Sequence, residues 1–145
     1  MKKGFTLIEL LIVMVLVGIL VTIALPKYRA SMERGRATEG ITNLKAASDA
    51  VNAQYIIDGN QYVTGNLSHT EGDYTKPQYF TTPVLSSSSS SVVEFTTTRE
   101  GNSYTLTARN ENGTLLYITC TGDTEKCQEA GAEQGGDGAF LFDFR

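Results

Sequence analysis

The 145-residue chain carries a formal net charge of −4, 41% hydrophobic residues, two cysteines and one histidine. That length holds one domain beyond any leading segment, and an acidic balance makes a poor non-specific binder of nucleic acid, since affinity for phosphate backbones comes from Lys and Arg. With one His, and with no His-Glu-x-x-His, phosphate-binding Gly-rich loop or dinucleotide fingerprint, the inventory offers no catalytic site and calls for no cofactor; neither an enzyme nor a nucleic-acid partner is expected.

Met1-Lys2-Lys3-Gly4 is a short basic leader, and an apolar run of 21 residues follows from Phe5 to Leu25. As a helix that run spans about 31 Å, one bilayer core. Thr6, Glu9 and Thr22 interrupt it. An ionised carboxylate near a helix centre costs about 2.5–3.5 kcal/mol on insertion scales, so a plain anchor has no use for Glu9. An ordinary secretory signal would need a small-x-small cleavage site. Thr22-Ile23-Ala24 is a weak candidate, and Glu9 within the apolar core counts against it.

The stretch Lys3-Gly4-Phe5-Thr6-Leu7-Ile8-Glu9-Leu10-Leu11, with Gly18 and Pro26 downstream, resembles the class III signal sequence of type IV pilins and type II secretion pseudopilins. The resemblance is close over about thirty residues. It implies cleavage by a prepilin peptidase between Gly4 and Phe5, methylation of the new amine on Phe5, and an apolar helix that stays on the mature chain. It also gives Glu9 a partner, the N-terminal amine of a neighbouring subunit. Breaking one side of a buried ion pair costs about 3–5 kcal/mol, so such pairing would favour one axial register between helices. Pairing within one chain, or a snorkelling or protonated Glu9 without a partner, are the alternatives.

Gly18 and Pro26 weaken the helix, and a kink is expected at the proline. Either Pro26 begins a new element, or, as the resemblance implies, the helix continues and partly melts between Gly18 and Pro26 in a filament. Beyond it, Ile41, Leu44, Val51 and Tyr55 recur at helical spacing among alanines, and Asp58-Gly59-Asn60 is a stop signal. One helix of more than fifty residues is predicted. Lys27, Arg29, Arg34 and Arg36 follow the apolar run. A count of basic residues would keep this end on the cytoplasmic side. The resemblance, and a cysteine pair suited to an oxidising compartment, place it outside. These cations would meet lipid headgroups, carboxylates of neighbouring subunits, or both.

Residues 58–91 read as a loop, with Gly59, Gly65, Gly72, Pro77, Pro83 and six serines from Ser86 to Ser91. Tyr62, Tyr74, Tyr79 and Phe80 would pin it to the core. His69 reads as a surface residue, and the Asn66-Leu67-Ser68 sequon is too short a match to carry weight. From Val92 the period changes to two. Val93, Phe95 and Thr97, then Tyr104, Leu106 and Ala108, then Leu116, Ile118 and Cys120 form inward rows, with Leu115 and Tyr117 on the opposite face. Gly101-Asn102 is a turn and Asn112-Gly113 a hairpin signal. Three antiparallel strands need a cover, which the amphipathic half of the helix supplies.

Cys120 and Cys127, six residues between them, read as a disulfide, two free thiols or metal ligands. The exported position favours the disulfide, and the resemblance adds that pilins carry a disulfide-bounded loop near the C-terminus. After Cys120 the chain reads as irregular, and Phe140-Leu141-Phe142-Asp143-Phe144 would be a fourth strand or an apolar plug. Asp123, Glu125, Asp137 and Asp143 invite a calcium hypothesis from the resemblance to pseudopilins. Their spacing fits no EF-hand, and a solvated acidic loop is the simpler reading, so no metal site is assigned.

The predicted organisation is a leader at 1–4, a membrane or filament-core half-helix at 5–26, an amphipathic half at 27–57, a loop at 58–91, and sheet with C-terminal loop at 92–145. The predicted fold class is α+β, a long N-terminal helix on a small antiparallel sheet. The resemblance implies a structural subunit that polymerises into a cell-surface filament for adhesion, motility or uptake, or else a pseudopilin of a type II secretion system. Implied partners are identical subunits, the prepilin peptidase, and an inner-membrane assembly platform with its ATPase. The implied location is the inner membrane with a periplasmic domain, then an extracellular pilus or periplasmic pseudopilus.

Overall fold

The computed structural model describes residues 4–63, 77–101, 104–135 and 138–142. Helix α1 runs Leu7–Ile57, about 77 Å at helical rise. It passes unbroken through Gly18 and Pro26, so no new element starts at the proline. The helix break assigned to those two residues is not present in the single chain. Pro26 removes one main-chain hydrogen bond, and the long helix on either side propagates past it. From Leu7 to Tyr28 every residue is exposed.

Packing begins at Glu33. The buried positions of α1 are Glu33, Ala37, Gly40, Leu44, Ala47, Ser48 and Val51, a stripe at spacings of three and four. Ile41 and Tyr55 flank it, partly buried. Small residues let the backbone approach the sheet. A Cβ on Gly40 would lie 2.9 Å from Phe80 Cδ1 and 3.0 Å from Leu106 Cδ1.

The sheet is antiparallel and six-stranded, in the order β1-β2-β3-β4-β6-β5, with β1 Val84–Ser88, β2 Val92–Thr98, β3 Tyr104–Glu111, β4 Thr114–Gly122, β5 Glu133–Gln134 and β6 Phe140–Phe142. The inward rows of β2 and β3 are those the alternation predicts: Val93, Phe95 and Thr97, then Tyr104, Leu106 and Ala108, all buried. Asn112 and Gly113 both take positive φ, at 51° and 78°, and turn β3 into β4. Gly101 likewise takes positive φ; its predicted turn partner Asn102 lies outside the described residues.

Three local expectations are corrected, and one alternative is decided. Part of the serine run is an edge strand, not a loop: Val84↔Thr96 through Ser88↔Val93 pair with β2, and half-buried Leu85 packs against the core. Leu116 does not face inward. The ladder slips between Arg109↔Tyr117 and Asn110↔Leu115, leaving Leu116 as the extra residue of a bulge, 50% exposed, while Leu115 turns to the core. The segment after Cys120 is not irregular, because a short helix α2, Thr124–Ala130, is capped by Asp123 and ended by Gly131 at φ 100°. The apolar C-terminal stretch takes the strand alternative as β6 beside β4, and β1, β5 and β6 together bring the three expected strands to six. Tyr62 and Phe80 are buried as predicted; His69, Tyr74, the Asn66-Leu67-Ser68 sequon, Asp137 and Asp143 lie outside the described residues.

Gly40→Ala should destabilise the chain by about 1–3 kcal/mol, the cost of overpacking a filled contact. A denaturant midpoint unchanged from wild type would contradict the close approach.

Candidate functional site

The N-terminal junction is exposed. Among the described residues nothing beyond its chain neighbours lies within 4 Å of a Cβ built on Gly4, and Phe5 is 90% exposed. Thr6 is the N-cap of α1 in extended backbone, and Glu9 closes a capping box with it. The Glu9 carboxylate accepts from Thr6 N at 2.8 Å and Thr6 Oγ1 at 2.7 Å, and the Glu9 N–H donates to Thr6 Oγ1 at 3.4 Å. So the single chain does not leave Glu9 without a partner. The Thr-x-x-Glu spacing that produces this is a capping-box signal legible in the sequence. From Leu7 to Leu25 the helix is apolar but for Glu9 and Thr22, and uncovered by the rest of the described chain. It is long and apolar enough to cross a membrane.

Above this segment, Lys27, Arg29 and Arg34 are exposed. Arg36 differs from them. Its Nη1 lies 3.2 Å from Glu33 Oε2 of the same chain, and its guanidinium stands 5.2 Å over the Tyr79 ring. Arg36 is thereby held by its own subunit.

Comparison with known proteins places these features. The model of the prokaryotic N-terminal methylation motif matches residues 1–25. The type IV major pilin protein PilE1 of Neisseria gonorrhoeae is 32% identical over 130 residues, covering 81% of this chain and 75% of that protein. The chain belongs to the type IV pilin family. A fimbrial protein of Neisseria meningitidis serogroup B is 31% identical over 124 residues, 81% of this pilin and 72% of the relative. A Pseudomonas aeruginosa fimbrial protein is 34% identical over 101 residues, 69% and 63% of the two chains. No solved structure matches this pilin. The relatives are named as pilin and fimbrial proteins, not as enzymes.

The pilin's head carries one cluster the sequence reading missed. Glu33 is buried where α1 meets the sheet. Its Oε1 accepts from Arg99 Nε at 2.8 Å and from Tyr104 OH at 2.8 Å. Arg99 Nη1 also donates to the carbonyls of Tyr79 and Glu100, each at 3.0 Å, and its guanidinium lies 5.3 Å from the Tyr79 ring centroid. Burial alone would raise the Glu33 carboxyl. Hydrogen bonds from Arg99 and Tyr104, the Arg99 charge and Arg36 together outweigh it and hold the group below its ordinary value. The signal was in phase: Glu33 falls on the stripe of Ala37, Gly40 and Leu44, and Arg99 continues the inward row of Val93, Phe95 and Thr97.

Cys120 and Cys127 form a disulfide, Cα–Cα 5.8 Å, and both are buried. It joins β4 to α2, whose C-cap Gly131 lies against the Arg34 stem of α1. Of the residues raised for calcium, Asp123 is engaged as the cap of α2, accepting from Glu125 N and Lys126 N. Among the described residues no group of three or more His, Cys, Asp or Glu could hold a metal ion.

A group with a depressed folded pKa contributes stability that is full above its unfolded pKa, about 4.3 for Glu, and is lost as pH falls through the folded value. Thermal unfolding of the detergent-solubilised chain should therefore show a Glu33-dependent loss below about pH 4. Glu33→Gln should remove that component and, by leaving Arg99 buried without its counter-charge, cost about 3–5 kcal/mol at pH 7. Matching melting temperatures for the two proteins at pH 7 would refute this role.

Proposed function

We propose that this chain polymerises through α1 into a cell-surface type IV pilus. One observation carries the reading: apart from Glu9 and Thr22 the Leu7–Leu25 part of α1 is apolar all round, and nothing in the described chain covers it. In a soluble monomer that surface would be an aggregation liability. A bilayer covers it before assembly, and copies of the same helix cover it afterwards. The PilE1 and fimbrial relatives support the filament.

The chemistry at the junction follows. A prepilin peptidase cuts between Gly4 and Phe5, whose exposure leaves the peptide bond accessible, and Phe5 is N-methylated. The methylation-motif match over residues 1–25 supports both steps. Cleavage leaves a cationic amine on Phe5. In the anchored subunit Thr6 satisfies Glu9. In the filament Glu9 takes the Phe5 amine of a neighbour, and the penalty for leaving either charge unpaired in an apolar core fixes the axial register. Gly18 and Pro26 mark the part of α1 that yields when helices pack side by side. The subunit waits in the inner membrane with its head in the periplasm, where the disulfide forms, and an assembly platform with its ATPase extracts it.

Glu9→Ala should leave cleavage intact and reduce filament yield severely. Normal pili from that strain, seen by electron microscopy, would defeat the register argument. Gly4→Arg should block processing, and a mature-length product from it would move the cut elsewhere. A pseudopilin of a type II secretion system is the rival. Deleting this gene would then abolish exoprotein secretion while surface filaments persist.

A further inference from the structure

Just beyond the apolar segment stands a collar of cations without a counter-charge. Lys27, Arg29 and Arg34 are exposed, and among the described residues none of the three makes an ion pair. Between Lys27 and Ser48 the helix holds two carboxylates, Glu33 and Glu39, and both are turned to the head. Glu33 is buried against Arg99 and bound by Arg36. Glu39 accepts from the backbone N–H groups of Gln78 and Tyr79. Tyr28 lies exposed between the first two cations.

We propose that this collar binds the phosphate groups of anionic phospholipids on the head side of the membrane while the subunit is anchored. The inference rests on the reading of residues 5–26 as the membrane segment. The nineteen residues from Leu7 to Leu25 rise about 28 Å, close to the roughly 30 Å hydrocarbon core, and the headgroup layer above is about 5–8 Å deep. Lys27, Tyr28 and Arg29 rise about 3 to 6 Å beyond Leu25, inside that layer. A tyrosine at this level suits the interface, where one end is apolar and the other wet. Arg34 stands about 14 Å beyond Leu25, with its stem beside Gly131 of the head. That keeps its charge within about one Debye length, roughly 8–10 Å, of the phosphates.

Lipid fits the collar better than a second copy's carboxylates on two grounds. Lys27 and Arg29 sit in register with the headgroup layer that their own helix defines, and Arg34 stands just above it. The chain is also acidic overall, at −4, so an anionic surface repels it except where this collar stands. The same contact gives the cations a role on the side from which a simple count of basic residues would exclude them.

The test uses the full-length protein in vesicles of equal phosphatidylglycerol and phosphatidylcholine, doped with a spin-labelled form of either lipid. Electron spin resonance then reads how much of each is immobilised at the protein. Phosphatidylglycerol should be preferred by at least about fivefold, the contribution of one basic residue near an anionic surface. The preference should fall to parity in Lys27→Gln/Arg29→Gln/Arg34→Gln and in 1 M salt, where the Debye length is about 3 Å. It should persist in the charge-preserving Lys27→Arg/Arg29→Lys/Arg34→Lys. Equal immobilisation of both lipids by wild-type protein that survives an alkaline carbonate wash overturns the proposal, as does a preference unchanged in the neutralised variant. Should the neutralised variant instead lose cross-linked self-association, with no lipid preference in either protein, the collar belongs to a second copy. Protein stripped from the vesicles by the wash overturns the membrane reading itself, and the lipid contact with it.

Discussion

Everything in this molecule depends on one constraint: a single helix must be at home in two environments. Its first half has no polar face and its second half has one stripe. Hydrophobic burial can hold the head only against that stripe, so contact begins at Glu33 and not earlier. The transition falls within about eight residues of Leu25. In that interval the chain places its cations, its buried Glu33–Arg99 pair and the approach of α2. A helix that packed along its whole length would make a stable soluble protein with nothing left for a neighbour to cover.

The junction residues differ in how they are satisfied, and the difference is physical. Glu33, Arg99 and Tyr104 are withdrawn from water and bound to one another, which makes them part of the head. Lys27 and Arg29 remain solvated and belong to whatever surface the head faces. Glu9 is between these cases. Its bonds to Thr6 are local and exposed, and they keep a carboxylate satisfied without committing it, because a cap on a solvated helix end contributes only about 1 kcal/mol. Leaving either charge of an ion pair unpaired in an apolar surrounding costs several times that, so the cap is weak enough to give way where an amine would otherwise be left unpaired.

Much of the fold was legible because it rests on periodicity. The long helix, the rows on β2 and β3 and the Asn112-Gly113 hairpin follow from spacings of three to four and of two, which survive without tertiary information. What was not legible depends on pairing. The bulge at Leu116 shifts the alternation by one residue, and only the register with Asn110 reveals it. The serine strand has little propensity of its own, and β2 recruits it. Helix α2 is short, and Asp123 with Gly131 defines it more than any apolar pattern does. At the candidate site the N-terminal methylation motif is readable as a run of residues, and the Thr6 cap is readable from its Thr-x-x-Glu spacing. The buried charge cluster was half-readable, since phase places Glu33 and Arg99 on inward faces but says nothing of their meeting.

The way the head is fastened to α1 has a mechanical consequence. The stripe from Glu33 to Val51 extends about 27 Å along the helix axis, with Gly40 seated against Phe80 and Leu106 midway. Tension along a fibre of such helices pulls each α1 parallel to that stripe. Its contacts are then strained together in shear, not peeled one after another, and rupture requires most of them to fail at once. The disulfide extends the grip, because α2 is covalently tied to β4 and so cannot leave α1 without drawing on the sheet. A head attached end-on through the same number of contacts would come away at a far smaller force.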